Sequence, residues 1–178
     1  MHIKKGGEVT GVLEGAYLAD WSNTSEPIGE ATLLVGRYEA VNFTLGRGDT
    51  ATNEALTSDD PLVGQTALIE GIARKDGQEI AFSFVLGAPT GRQIIGIPFK
   101  AEVGEDANGK RLGLRFLPYD KLEEDTLYDA LDFAALDGDG DGKISISESS
   151  EDDADQDAYN TLRRTFQTHD HFEVVVID

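Results

Sequence analysis

The 178-residue chain contains no cysteine. Disulfides, thiolate metal sites and a cysteine nucleophile are therefore excluded, and with them a small disulfide-stapled secreted fold. No run of 18 apolar residues occurs, so no membrane insertion is expected. The opening residues Met1-His2-Ile3-Lys4-Lys5-Gly6-Gly7 lack an apolar h-region, and no signal peptide is expected. A cytoplasmic protein is the default expectation, with a processed exported fragment as the alternative. Histidine is scarce (His2, His169 and His171), and neither Gly-x-Ser-x-Gly nor His-Glu-x-x-His is present. A Ser-His-Asp arrangement thus has few members to draw on. Positive charge is scarce too. Fifteen Lys+Arg stand against 34 Asp+Glu, for a formal charge of −19. Such an excess repels nucleic acid and anionic membranes, so neither is an expected partner. Cations, basic proteins and saline surroundings remain.

The composition is that of a globular chain, 39% hydrophobic and 28% charged, long enough for one domain or two small ones. The charge is not spread evenly. Residues 1–118 hold 16 acids and 11 bases, a net of −5, whereas residues 119–178 hold 18 acids and 4 bases, a net of −14. A salt-adapted surface would distribute its acids over both parts, whereas a cation site concentrates them.

The first part reads as β, with short runs bounded by turn residues. Strands are expected at Val9–Leu18, Ala31–Gly36, Tyr38–Leu45, Gly64–Arg74, Glu79–Leu86, Gln93–Val103 and Arg111–Leu117. Lys75-Asp76-Gly77, Ala88-Pro89-Thr90-Gly91 and Asn108-Gly109 supply turns between them. Hairpin-length links without helical periodicity predict an antiparallel barrel or sandwich. After Tyr119 the pattern becomes helical. Leu122–Leu136 carries Leu127, Leu131 and Ala134/Ala135 on one face. A second helix is expected over about Glu151–Gln167, capped by Ser149 or Ser150. Phe172–Ile177 reads as a last strand that returns to the β-domain. The expected fold class is therefore α+β. It comprises a β-domain (1–118), a helix–loop–helix (119–170) and a terminal strand (171–178).

Between the two helical patterns lies Asp137-Gly138-Asp139-Gly140-Asp141-Gly142-Lys143-Ile144-Ser145-Ile146-Ser147-Glu148. A hard divalent cation takes six to eight oxygens, and alternate loop residues can aim theirs at one point. Four carboxylates this close repel one another unless a cation lies between them. The segment resembles the twelve-residue calcium loop of the EF-hand family. That resemblance implies Ca²⁺ ligation by Asp137, Asp139 and Asp141, by the Lys143 carbonyl, by Ser145 directly or through water, and by Glu148 with both oxygens. It places Gly142 at the sharp turn and Ile144 at the position that bridges to a partner loop; a lone loop is then expected to be braced by the β-domain, by the final strand or by dimerisation through Ile144. No second intact loop follows. Asp153-Ala154-Asp155-Gln156-Asp157 mimics only the first five positions and reads as a helix start. The exit side is polar at Ser149, Asp152, Asp153 and Gln156, so a calmodulin-like groove is not expected, and the implied role is structural or buffering.

Other patterns are weaker. Gly104–Arg111 matches a phosphate-binding loop except at Arg111, and reads better as a hairpin turn. Arg47-Gly48-Asp49 spells an adhesion tripeptide, and Asn23 and Asn42 begin glycosylation sequons. His169 and His171 could form a metal pair, but a polar turn is the simpler reading. The expected function is calcium binding, with the β-domain taking a protein or carbohydrate ligand. The alternative is a calcium-stabilised hydrolase using β-domain carboxylates. No catalytic residue stands out, so the balance leans away from an enzyme.

Overall fold

The computed structural model describes residues 2–5, 8–22, 28–105, 111–120 and 123–177. The Asn108-Gly109 turn, most of the phosphate-loop-like run, the sequon at Asn23 and the expected helix start at Leu122 lie outside those residues. In chain order the elements begin with β1 (His2–Lys5), β2 (Glu8–Val12), β3 (Gly36–Thr44), β4 (Ala67–Lys75), β5 (Gln78–Leu86) and β6 (Gln93–Val103). They continue with β7 (Arg111–Phe116), β8 (Tyr119–Asp120), β9 (Asp125–Thr126), α1 (Phe133–Leu136), β10 (Lys143–Ile146), α2 (Asp153–Phe166) and β11 (Phe172–Ile177). Strands predominate and helices are few.

One sheet runs β2-β1-β3-β6 and is antiparallel throughout. A second runs β10-β5-β4. Its β4–β5 hairpin closes on Asp76-Gly77, whose φ angles of 53° and 83° suit a two-residue turn with both central residues left-handed. The pair β11–β7 is antiparallel over six residues, from Phe172↔Phe116 to Ile177↔Arg111, so the last strand does return to the β-part. The closed barrel, one of the two expected forms, is not observed. Among the described residues the ladders stay in separate sheets, because strands from the C-terminal third take the edges that closure would need. β10 lies on β5, and β11 lies on β7.

Three sequence expectations change for local reasons. The strand expected at Ala31–Gly36 is absent over 31–35, where Leu34 and Val35 stand exposed, and Gly36 instead opens β3. The strand expected to reach Leu18 stops at Val12, three residues before Gly15 turns the chain at φ 115°. The helix expected over Leu122–Leu136 shrinks to the four residues of α1. Its sequence competes with itself. The Asp129 carboxylate accepts from Thr126 N (2.9 Å) and Thr126 Oγ1 (2.6 Å), bonds that hold its carboxyl below the usual range. Asp132 then caps the last turn by accepting from Ala134 N and Ala135 N. Short polar side chains that bond nearby backbone favour turns over helix interiors.

Apolar residues from all parts of the chain meet in one core. It joins Tyr38 and Val41 of β3, Ile97 and Phe99 of β6, Phe84 of β5, Ile146 of β10, Leu162 of α2 and Phe172 of β11. Helix α2 buries Ala158, Tyr159, Leu162 and Phe166, the one face its spacing permits. Phe84 is wholly buried and stacks on Phe82 at 4.7 Å between ring centroids. Phe84→Ala is expected to destabilise the protein by about 3–5 kcal/mol, read from the urea midpoint, because it leaves a cavity where four elements meet.

Candidate metal centre

The loop between α1 and β10 is built by its aspartates and glycines. Asp137 closes α1, its N–H donating to Phe133 O at 3.1 Å. Gly140 and Gly142 have φ angles of 71° and 78°, a region where a side chain would be strained, so the chain can reverse within five residues. The carboxylates fold back onto backbone N–H groups. Gly142 N donates to both Asp137 oxygens (3.1 and 3.2 Å), Asp141 N to Asp139 Oδ1 (3.2 Å) and Lys143 N to Asp141 Oδ1 (2.8 Å). One oxygen from each of Asp137, Asp139 and Asp141 lies within 4.8 Å of the others. Oxygens on a single Ca²⁺ sit about 2.3–2.6 Å from it, and are thus at most about 5 Å apart, so the spread fits. With no nitrogen or sulfur donor in the group, the set suits a hard cation rather than zinc.

The exit side differs from a simple helical continuation. β10 pairs in parallel with β5, Lys143↔Ala81 through Ile146↔Phe84, and Ile144 is 5% exposed beneath it. The position that in the family bridges to a partner loop therefore meets the protein's own sheet, which is bracing by the β-domain, one of the expected alternatives. Residues 147–150 then tie themselves into a serine turn. Ser147 N donates to Ser150 Oγ at 3.1 Å, and the Ser147 and Ser149 hydroxyls are 2.9 Å apart. With the serines so engaged, the cap of α2 is Asp152, which accepts from Ala154 N at 2.8 Å, rather than Ser149 or Ser150.

The six residues expected as ligands are therefore not equally placed. Asp137, Asp139 and Asp141 converge, whereas exposed Glu148 is not part of their group and its carbonyl accepts from Gln156 Nε2 at 3.3 Å. Asp139, Lys143 and Ser145 line a concavity of about 310 Å³ that Asp152 and Asp155 border from α2. Burial and, after it, the neighbouring Asp152 carboxylate raise the Asp155 carboxyl above the usual range.

Asp120, Glu123 and Asp125 form a second carboxylate group, which sequence reading missed. Its spacing, one acid and then others three and five residues on, was visible, but no glycine turn or bridging residue accompanies it. Asp120 is buried and accepts from Glu123 N at 3.3 Å. The weaker signals have structural employment. Arg47 donates to Ala88 O and Gly64 O, and Asp49 accepts from Ala51 N, so the tripeptide's charges serve its own loop. Asn42 is buried and accepts from Gly96 N at 2.9 Å, beside an irregularity in the β3–β6 register. His169 contacts Asp170 at 3.0 Å, whereas the buried His171 places Nδ1 2.9 Å from Leu117 O, so the imidazoles have separate partners.

No family model, no curated protein and no solved structure matches this chain.

Because the folded chain keeps the Asp155 proton to higher pH than the unfolded chain, the charged carboxyl costs stability above that range and nothing below it. Asp155→Asn is expected to raise the melting temperature in EDTA at about pH 7, and to leave it unchanged at about pH 3, where both states are protonated.

Proposed function

We propose that this chain is a calcium-binding protein in which residues 137–148 act as a single EF-hand-like loop of structural or buffering role. The observation that carries the reading is the convergence of three carboxylates, within 4.8 Å, on a loop whose turn residue Gly142 has a φ of 78°. Asp137, Asp139 and Asp141 would each give a carboxylate oxygen, and Lys143 its main-chain carbonyl. Ser145 would add a hydroxyl or hold a water. The family pattern assigns the closing carboxylate to Glu148. Bound Ca²⁺ would cancel the mutual repulsion of the loop acids.

The apolar face of α2 supports a structural or buffering role. Tyr159, Leu162 and Phe166 are already spent on the core, which leaves the exit helix no apolar stripe to offer a target.

The test is calorimetry and melting with CaCl₂ against EDTA. With Kd near ~10 μM and Ca²⁺ near ~1 mM, binding would add about 2.7 kcal/mol to folding stability. For a chain of this size that raises the melting temperature by about 5–10 °C. Asp139→Asn is expected to remove most of the rise. Equal melting temperatures with and without Ca²⁺, together with no heat of binding, would refute the reading.

A further inference from the structure

The loop is fastened at both ends to one strand. On the entry side Phe133 of α1 packs on Phe82 and Phe84 of β5, at 5.4 and 6.2 Å between ring centroids. On the exit side β10 runs alongside the same residues, with Ile144 opposite Phe82 and Ile146 opposite Phe84. Gly142 joins the two systems. Its N–H donates to the Asp137 carboxylate, and its carbonyl accepts from Ala81 N of β5 at 2.9 Å. The residue that closes the acidic loop is therefore also the first hydrogen-bonded contact with the sheet.

From this geometry we infer that calcium acts as a latch on the outer edge of β5, its occupancy deciding whether β10 stays docked there. The inference rests on the calcium reading above and concerns how that site is coupled to the sheet. Without a cation, three carboxylates within 4.8 Å repel, and the cheapest relief is to open the loop. Opening pulls Gly142 away from Asp137 and weakens its hold on Ala81. β10 has only four residues and lies at the sheet edge, so losing its first contact leaves little to retain it. β5 itself stays in place, because its other edge pairs with β4 over nine residues. The bridge that would join two calcium loops instead joins this loop to a sheet, and by linkage the coupling must run both ways.

Hydrogen exchange on the full chain, with EDTA or with CaCl₂, tests this. The amides of β5 that face β10, Ala81 and Ser83, and those of Ile144 and Ile146 are expected to exchange at least about tenfold more slowly with Ca²⁺, while those of β3 change little. Ile144→Ala removes no oxygen donor but loosens the docked strand, so it is expected to weaken Ca²⁺ affinity by about fivefold or more, read by calorimetry. Calorimetric Ca²⁺ binding with unchanged exchange at Ala81 and Ser83 would overturn the latch and leave the calcium site standing. Absence of any Ca²⁺ binding would overturn both. If Ile144→Ala fails to fold, the wild-type exchange comparison decides alone.

Discussion

β5 is the element on which the two differently composed parts of the chain depend. One edge carries the nine-residue antiparallel ladder to β4, and the other carries the four-residue parallel ladder to β10. Its Phe84 lies in the core shared with α2, and its Phe82 packs at a tilt against Phe133 and Tyr128 of the acidic part. A strand that is apolar at Ile80, Phe82 and Phe84 can serve both sides, because alternate residues share one face. Without that face, the −14 of charge in the last third would sit on a segment too poor in apolar surface to fold by itself.

The acids of that third do different kinds of work. Asp132 and Asp152 cap helices, and Asp129 tightens a turn, each by accepting from backbone N–H groups. Asp153 lies in the first turn of α2, opposite Arg163 and Arg164 in its last, the arrangement the helix dipole favours. Among the described residues two sets are gathered at a point, Asp120 with Glu123 and Asp125, and Asp137 with Asp139 and Asp141, and the second lies on a glycine-turned loop. Capping uses one carboxylate at a time, whereas three on one loop generate repulsion that a cation relieves.

The C-terminal helix, the returning last strand and most of the central strands were legible because their patterns are periodic. Gln93–Val103 was placed to the residue, and α2 to within two residues at its start and one at its end. The failures share a cause. Ala31–Gly36 is apolar enough for a strand yet only its last residue, Gly36, joins a ladder, because pairing is not written in a single segment. Leu122–Leu136 has helical composition, but its aspartates bond locally and cut the helix to one turn. Ser149 and Ser150, expected to cap α2, each bond to Ser147 instead, so the cap passes to Asp152.

Sequence alone determined the chemistry of the loop, since three aspartates at alternate positions and a glycine at the turn define an oxygen-rich, sharply reversing segment in any fold. It also determined that most of the acid lies in the last third, and that the last strand must seek a partner. Only the tertiary structure decided which surfaces those segments meet. Ile144 docks on β5 beside the stacked pair of half-buried Phe82 and buried Phe84, and β11 docks on β7 in register over six residues. Those choices arise from contacts far apart along the chain, and they turn an isolated acidic loop into part of a sheet.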